Sequence, residues 1–294
     1  MPESEKQVPA SLGRMLRFDP DTGGTAAAVN GKAVPISLLA PQREPEPPIA
    51  QGVDLSGVPK IVFAAGRGKT GKTTLLRWIT EMSVIAGHDL ILADIDPSNA
   101  SFSVYFEGVN RPETDDPTGI EDWLIKLLQY AAREKQSAVI DLGGGDTTLR
   151  TIAGKLPGFA DTLVNAGIAP VMFYVVGREP EDLTPALTLA TRGFSPKAQA
   201  IVLNEYAIPT GMTRRSAFAR LIASEAYAQL SASSVLVWMP RLFAAEAIEA
   251  RHCWFTDVRT GKLKQSLELF DSTRVIDWLN RMDQRFAGVR TWLP

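Results

Sequence analysis

The sequence predicts a doubly wound α/β fold, a mostly parallel sheet with helices on both faces, preceded by a poorly structured N-terminal arm. Three observations carry this. From residue 59 onward, short β-rich runs alternate with longer runs of helical period. The run Val171-Met-Phe-Tyr-Val-Val176 is apolar at every position, as strands covered on both faces are. The first strand opens directly into Gly66-Arg-Gly-Lys-Thr-Gly71-Lys72-Thr73, and a helix-period run follows at once.

Taken in order, the strands are expected at 61–65, 90–93, 138–142, 170–176, 200–203 and 235–238. Helices are expected between and after them at 73–86, 119–134, 147–155, 181–192, 212–230 and 242–252. A last helix at 267–287 carries Val275, Trp278, Leu279, Met282 and Phe286 at helical spacing, a stripe that predicts packing on the domain. Residues 1–57 differ in composition, with Gly23-Gly24 and the run Pro41-Gln-Arg-Glu-Pro-Glu-Pro-Pro48. They are expected to form a flexible or extended arm, with 58–294 as the folded domain.

The glycine loop is a phosphate-binding (P-loop) sequence in its proper strand-to-helix context. Backbone N–H groups can surround a triphosphate only where side chains are absent at the turns, which Gly66, Gly68 and Gly71 allow. Lys69 and Thr70 complete the loop. Lys72 is placed to reach the β- and γ-phosphates, the Thr73 hydroxyl to ligate Mg2+ and Thr74 to touch the α-phosphate, with the helix N-terminus adding its positive end. Two further strand ends carry acids: Asp94-Ile-Asp96 and Asp141-Leu-Gly-Gly-Gly145-Asp146. Hard cations prefer oxygen ligands, so Asp141 is expected to hold magnesium through water, with Asp94 as a nearby carboxylate of its shell and Asp96 orienting or deprotonating the attacking water. Gly144 and Gly145 would bring a backbone N–H to the γ-phosphate, and Asp146 is a candidate helix cap.

The chain has 294 residues, 45% hydrophobic and 22% charged, with a formal net charge of −2. That excludes an overall basic field for nucleic acid. One cysteine, Cys253, excludes an intrachain disulfide framework, and no signal pattern or membrane-length apolar run is present. The expectation is a cytoplasmic protein without integral membrane association. His88 and His252 belong to no metal-spaced cluster.

Together, the Gly-Lys-Thr-Thr loop, Leu-Ile-Leu-Ala-Asp-Ile-Asp-Pro, Val-Ile-Asp-Leu-Gly-Gly-Gly, Ile-Val-Leu-Asn204 and Trp-Met-Pro-Arg-Leu-Phe-Ala-Ala-Glu-Ala247 resemble the ParA/MinD family of deviant-Walker ATPases over residues 59–255. The resemblance implies ATP-driven homodimerisation across the nucleotides, slow hydrolysis stimulated by a partner protein, and positioning of plasmids, chromosomes or protein complexes. It also implies that Asn204 recognises the adenine edge and that Pro240 and Arg241 belong to the base pocket. One departure stands out. The family's signature lysine falls at Arg67, which keeps the charge but presents a planar fork to phosphate oxygens, and Lys69 occupies a position usually filled by glycine.

For cargo, the leading expectation is DNA, in plasmid partition or as an accessory of conjugative transfer. Arg214, Arg215, Arg220, Arg251, Arg259, Lys262, Lys264, Arg274, Arg281, Arg285 and Arg290 make the C-terminal third locally basic, although acids intervene. The alternative on the same scaffold is a small-molecule kinase or ligase of the dethiobiotin synthetase type. A membrane-surface protein of the MinD type is a third, for which the tail Arg290-Thr-Trp-Leu-Pro294 lacks a clean basic amphipathic helix.

Overall fold

The computed structural model describes residues 17–18, 25–26, 44–96, 102–143 and 147–294. Residues 1–44 and 45–294 form separate compact units. In the first, β1 (Arg17–Phe18) pairs antiparallel with β2 (Thr25–Ala26). The rest of the arm before residue 44 lies outside the described residues, as do Gly144, Gly145 and Asp146.

The second unit is built on six parallel strands. β3 (Lys60–Ala65) runs into the phosphate loop and α1 (Lys72–Ile85). There follow β4 (Leu90–Asp94), α2 (Pro117–Glu134), β5 (Ser137–Asp141), α3 (Thr148–Lys155), α4 (Phe159–Asn165), β6 (Ala169–Val176) and α5 (Thr184–Thr191). The chain ends with β7 (Ala198–Asn204), three short helices α6 (Arg214–Ala217), α7 (Ala219–Ile222) and α8 (Glu225–Ser231), β8 (Val235–Met239), α9 (Ala245–Glu249), α10 (Phe255–Thr260) and α11 (Leu269–Arg285). The sheet order is β4-β5-β3-β6-β7-β8, which puts β3 in the middle. This is the α/β P-loop NTPase-like fold expected from the sequence.

Side chains alternate strictly between two cores. Ile61 and Phe63 of β3, with Met172 and Tyr174 of β6, face the layer made by α2 to α8. Val62 and Ala64, with Val171, Phe173 and Val175, face the layer of α1, α10 and α11. Both faces are apolar because both are covered, which is why these strands read as unbroken apolar runs. α2 starts where Asp116 accepts a hydrogen bond from Gly119 N (2.8 Å), with Pro117 at its first position, and it stops at Lys135 in the left-handed conformation. The stripe on α11 is buried as expected. Trp278 lies against Phe255 at 4.8 Å between ring centres, and Phe286 lies against Trp78 at 4.9 Å. Each such buried side chain is worth roughly 1.5–3 kcal/mol in apolar transfer.

Sequence periodicity alone misplaces three regions. The single helix expected at 212–230 breaks at Phe218 and again at Ser224, whose side chain accepts from Tyr227 N and begins a new helix. α4 and α10 are additional. The N-terminus of α10 is capped by a residue far away in sequence: Glu81 of α1 accepts from Phe255 N (3.0 Å), Thr256 N (2.9 Å) and Thr256 Oγ1 (3.0 Å).

Residues 45–57 lie along the domain and do not hang free. Gly52 N donates to Gly288 O, Trp292 Nε1 donates to Val53 O and Leu55 is buried. Gly52 is required here, since a Cβ would sit 2.3 Å from the Trp292 ring. Among the described residues no helix is long and apolar enough to cross a membrane.

Candidate functional site

The phosphate loop leaves β3 at the carboxyl edge of the sheet and closes on α1. Two of its glycines are fixed by close approach. A Cβ on Gly66 would fall 2.2 Å from the Val175 carbonyl, and one on Gly71 (φ 99°) would fall 2.5 Å from Asn204 Nδ2. Gly68 has open space around it. Lys69 stands at φ 63°, a left-handed position that costs a residue with a Cβ roughly 1–2 kcal/mol. Within the loop, Lys72 Nζ donates to Arg67 O (3.2 Å) and Thr70 Oγ1 donates to the same carbonyl (2.9 Å).

β5 is the immediate neighbour of β3, so its last residue comes to the foot of the loop. Thr73 Oγ1 donates to Asp141 Oδ2 at 2.8 Å, and Asp141 Oδ1 accepts from Gly143 N at 3.3 Å. Asp141 is 3% exposed, and burial pushes its carboxyl up, against the opposing pull of Thr73 and Lys72. Burial likewise holds the Lys72 ammonium below its usual range, with Asp141 and Asp96 opposing. Asp96 approaches from β4. Gly143, at φ 63°, must be glycine, because a Cβ would lie 2.8 Å from the Asp96 carboxylate. Arg111 Nη2 ties down the other side of that turn by donating to Asp96 O (3.1 Å).

These groups open on one cleft of about 1230 Å³. Of the residues singled out from sequence, Gly68, Lys69, Gly71, Lys72, Thr73 and Thr74 line it from the loop side. Asp96, Asp141, Asn204 and Arg241 line it from the strand ends. Gly66, Arg67, Thr70, Asp94 and Pro240 are not among its lining residues. Asp94 is occupied internally: Oδ1 accepts from Asp96 N (3.1 Å), and Oδ2 accepts from Phe102 N (3.2 Å) and Ser103 N (3.4 Å). It shapes the turn that presents Asp96. Arg67 turns aside to Asp182 Oδ1 (3.3 Å) with its side chain 59% exposed. Pro240 O accepts from Trp278 Nε1 (2.9 Å). Asn204 bridges the loop and the next turn, donating to Thr70 O (2.8 Å) and accepting from Tyr206 N (2.9 Å).

Several lining residues carry no motif. Arg77, one turn into α1, is buried, donates to Cys253 O (2.9 Å) and lies 3.4 Å beneath the Tyr105 ring. Tyr206 and Phe243 stand at the cleft, 60% and 68% exposed. Two of the lining residues did carry a signal: Gly143, the first glycine of the run after Asp141, and Phe243, within the run ending at Ala247. Among the described residues no group of three or more His, Cys, Asp or Glu could hold a metal ion. The C-terminal cations are largely paired within the fold: Arg214 and Arg285 with Glu205, Arg220 with Glu179, Arg259 and Arg290 with Asp283, Arg274 with Asp271 and Arg281 with Asp277.

Fold and site together define the chain as having a P-loop NTPase-like architecture. No family model matches it, and no curated protein matches it. Among solved structures it is similar to the MinC:MinD cell division protein complex of Aquifex aeolicus, at 13% identity over 77% of this chain and 96% of that one, with a TM-score of 0.43. It is also similar to the cell division protein FtsY of Thermotoga maritima (12% identity, 63% and 64% of the two chains, TM-score 0.37). A third is chloroplast FtsY of Physcomitrella patens (14%, 75% and 65%, TM-score 0.39). All three are at most 14% identical with TM-scores below 0.5, and no activity is carried over from them.

Proposed function

We propose that this chain is a magnesium-dependent ATPase of the ParA/MinD type. The phosphate loop binds ATP, Asp96 orders the attacking water, and hydrolysis is slow until a partner protein or DNA stimulates it. The observation that carries this is the Thr73 to Asp141 hydrogen bond of 2.8 Å beside the buried Lys72. It assembles the hydroxyl and carboxylate that a magnesium triphosphate needs. The fit is chemical as well as geometric: burial disfavours the ionised Asp141, and a divalent cation is the partner that would hold it charged. When bound, magnesium would neutralise phosphate charge. The chain's own part is to cradle the phosphates with loop amides and Lys72, and to hold Asp96 in place through Arg111 and Gly143.

The resemblance extends the proposal to an ATP-dependent homodimer that positions DNA or protein cargo. Arg67 would have to exchange Asp182 for phosphate oxygens of the second copy. Contact with DNA would fall to exposed cations with no acid partner among the described residues, such as Arg215, Lys262 and Lys264, since most of the other C-terminal arginines are already paired. The cleft also runs on to Arg77 and Tyr105, which favours, as a second reading, a small-molecule kinase with its acceptor bound there.

Steady-state turnover separates the two. A positioning ATPase stays below about 10 per second and responds to DNA or a partner protein, whereas a kinase responds only to its small acceptor. Lys72→Ala should abolish ATP binding, and Asp96→Ala should retain ATP and trap the dimer. Arg67→Ala should weaken dimerisation more than nucleotide affinity. Light scattering with calorimetry checks all three, and equal losses in Arg67→Ala would confine Arg67 to its own site.

A further inference from the structure

We propose that residues 45–57 form a strap that sets the geometry of the nucleotide site, and that Glu205 is the positioning residue through which the strap acts. The proposal rests on the reading of the glycine loop as a nucleotide site and adds to it a control from outside the cleft.

Glu205 stands where β7 ends, one residue past Asn204, and opens the Glu205–Ala207 turn. It is buried, and its Oε1 accepts from two guanidinium groups, Arg214 Nη1 at 2.8 Å and Arg285 Nη1 at 2.7 Å. Both arginines reach the strap with another nitrogen. Arg285 Nε donates to Glu46 Oε2 at 2.8 Å, and Arg214 Nη2 donates to the Pro45 carbonyl. Arg285 is 4% exposed and its Nη2 has no partner among the described residues, so its hold rests on the two carboxylates. A guanidinium fork fixes the spacing of its acceptors, which locks Glu46 in register with Glu205.

The same turn reaches the phosphate loop by direct contact. Asn204 Nδ2 donates to Thr70 O at 2.8 Å, and Oδ1 accepts from Tyr206 N at 2.9 Å. A side-chain amide has two donors and two acceptor sites, so one of each stays free for a base edge. The approach of loop and turn is close: a Cβ on Gly71 would lie 2.5 Å from Asn204 Nδ2. A shift of the turn therefore passes to the loop. The strap is tied along its length as well. Gly52 N donates to Gly288 O, Leu55 N donates to Thr291 Oγ1 (3.2 Å), and the chain continues through Pro59 into β3 and the loop itself. Strap, α11, turn and loop are one contiguous set of contacts. An opened strap weakens the site, and by linkage a bound nucleotide holds the strap shut to the same degree.

The test uses the full chain, with MgATP affinity read by calorimetry and the strap amides from Glu46 to Leu55 followed by hydrogen–deuterium exchange. Glu46→Ala, on a side chain 40% exposed, should weaken MgATP by about 5- to 150-fold at a temperature where its melt shows it folded. Glu46→Gln keeps an oxygen for Arg285 Nε and should recover most of that loss. Lys155→Ala, which breaks an ion pair with Glu121 elsewhere in the domain, should bind as wild type does. Saturating MgATP should slow exchange in the wild-type strap more than in α4. A strap that serves stability alone would lower the melting temperature of Glu46→Ala while MgATP affinity stayed unchanged and strap exchange ignored the nucleotide. Either of those last two results overturns the proposal. A wild type that binds no MgATP removes the nucleotide reading itself, and the coupling with it.

Discussion

Three glycines in one motif should respond differently to the same added methyl group. For Gly66→Ala, the new Cβ would meet the Val175 carbonyl at 2.2 Å and Thr70 Oγ1 at 3.0 Å. Ordinary contact needs about 3.4 Å, and the carbonyl belongs to β6, which is paired to β3 from Lys60 to Ala65. Neither partner can yield cheaply, so overpacking of about 1–3 kcal/mol adds to backbone strain of similar size. A loss of roughly 2–6 kcal/mol is a large part of the stability of an ordinary domain. Gly71→Ala combines positive φ with a Cβ 2.5 Å from Asn204 Nδ2, costing strain plus the Asn204 to Thr70 bond, again about 2–4 kcal/mol. Gly68→Ala meets nothing within 4 Å and should stay within about 0.5 kcal/mol. Urea denaturation of the three variants measures this directly. If Gly68→Ala fell as far as Gly66→Ala, or if Gly66→Ala matched wild type, the loop geometry argued from these contacts would be wrong.

Other outcomes follow from buried charge. Burial pushes the Glu81 carboxyl up to about 7 despite the three hydrogen bonds it accepts. Below pH 4.5 both folded and unfolded chains keep the proton; between there and pH 7 only the folded chain does. Stability should therefore fall as pH rises across that window, by up to roughly 3 kcal/mol, and level off above it. Glu81→Gln should flatten the wild-type fall in urea midpoints between pH 5 and 7; a wild type whose midpoint rises there would contradict the assignment. Glu205→Ala strands the buried Arg285 guanidinium with only Glu46 and should cost about 3–5 kcal/mol by denaturant melt, more than Arg220→Ala at an exposed pair. Asp141→Asn should reduce the gain in ATP affinity that magnesium brings and leave metal-free binding nearly intact, which parallel titrations with and without a chelator would show.

Much of the fold was legible in the sequence because it rests on short-range pattern. Strands such as β6 announce themselves by being apolar throughout, and the loop from Gly66 to Thr73 lies between a strand and a helix as the motif requires. Part of what escaped was decided by contacts remote in sequence. The cap on α10 comes from Glu81, and nothing near Phe255 signals it. The breaks at Phe218 and Ser224 are local choices among near-equal alternatives. In the site, residue type singled out Lys72, Thr73, Asp96 and Asp141, and the structure places them around one cleft; Asp94, expected beside them, is not among the lining residues. Only the backbone amides of Phe102 and Ser103 reveal that Asp94 serves the turn. Tyr206 belongs to no motif and Phe243 enters only as part of the run ending at Ala247; their place beside Arg241 depends on how the ends of β7 and β8 align.

The central claim is that residues 66–74 hold a magnesium triphosphate against Asp141. Calorimetric titration of the full chain with MgATP, beside Lys72→Ala, tests it most directly. Saturable binding in wild type that Lys72→Ala loses is the predicted result; no binding heat in wild type, or unchanged affinity in Lys72→Ala, would contradict it.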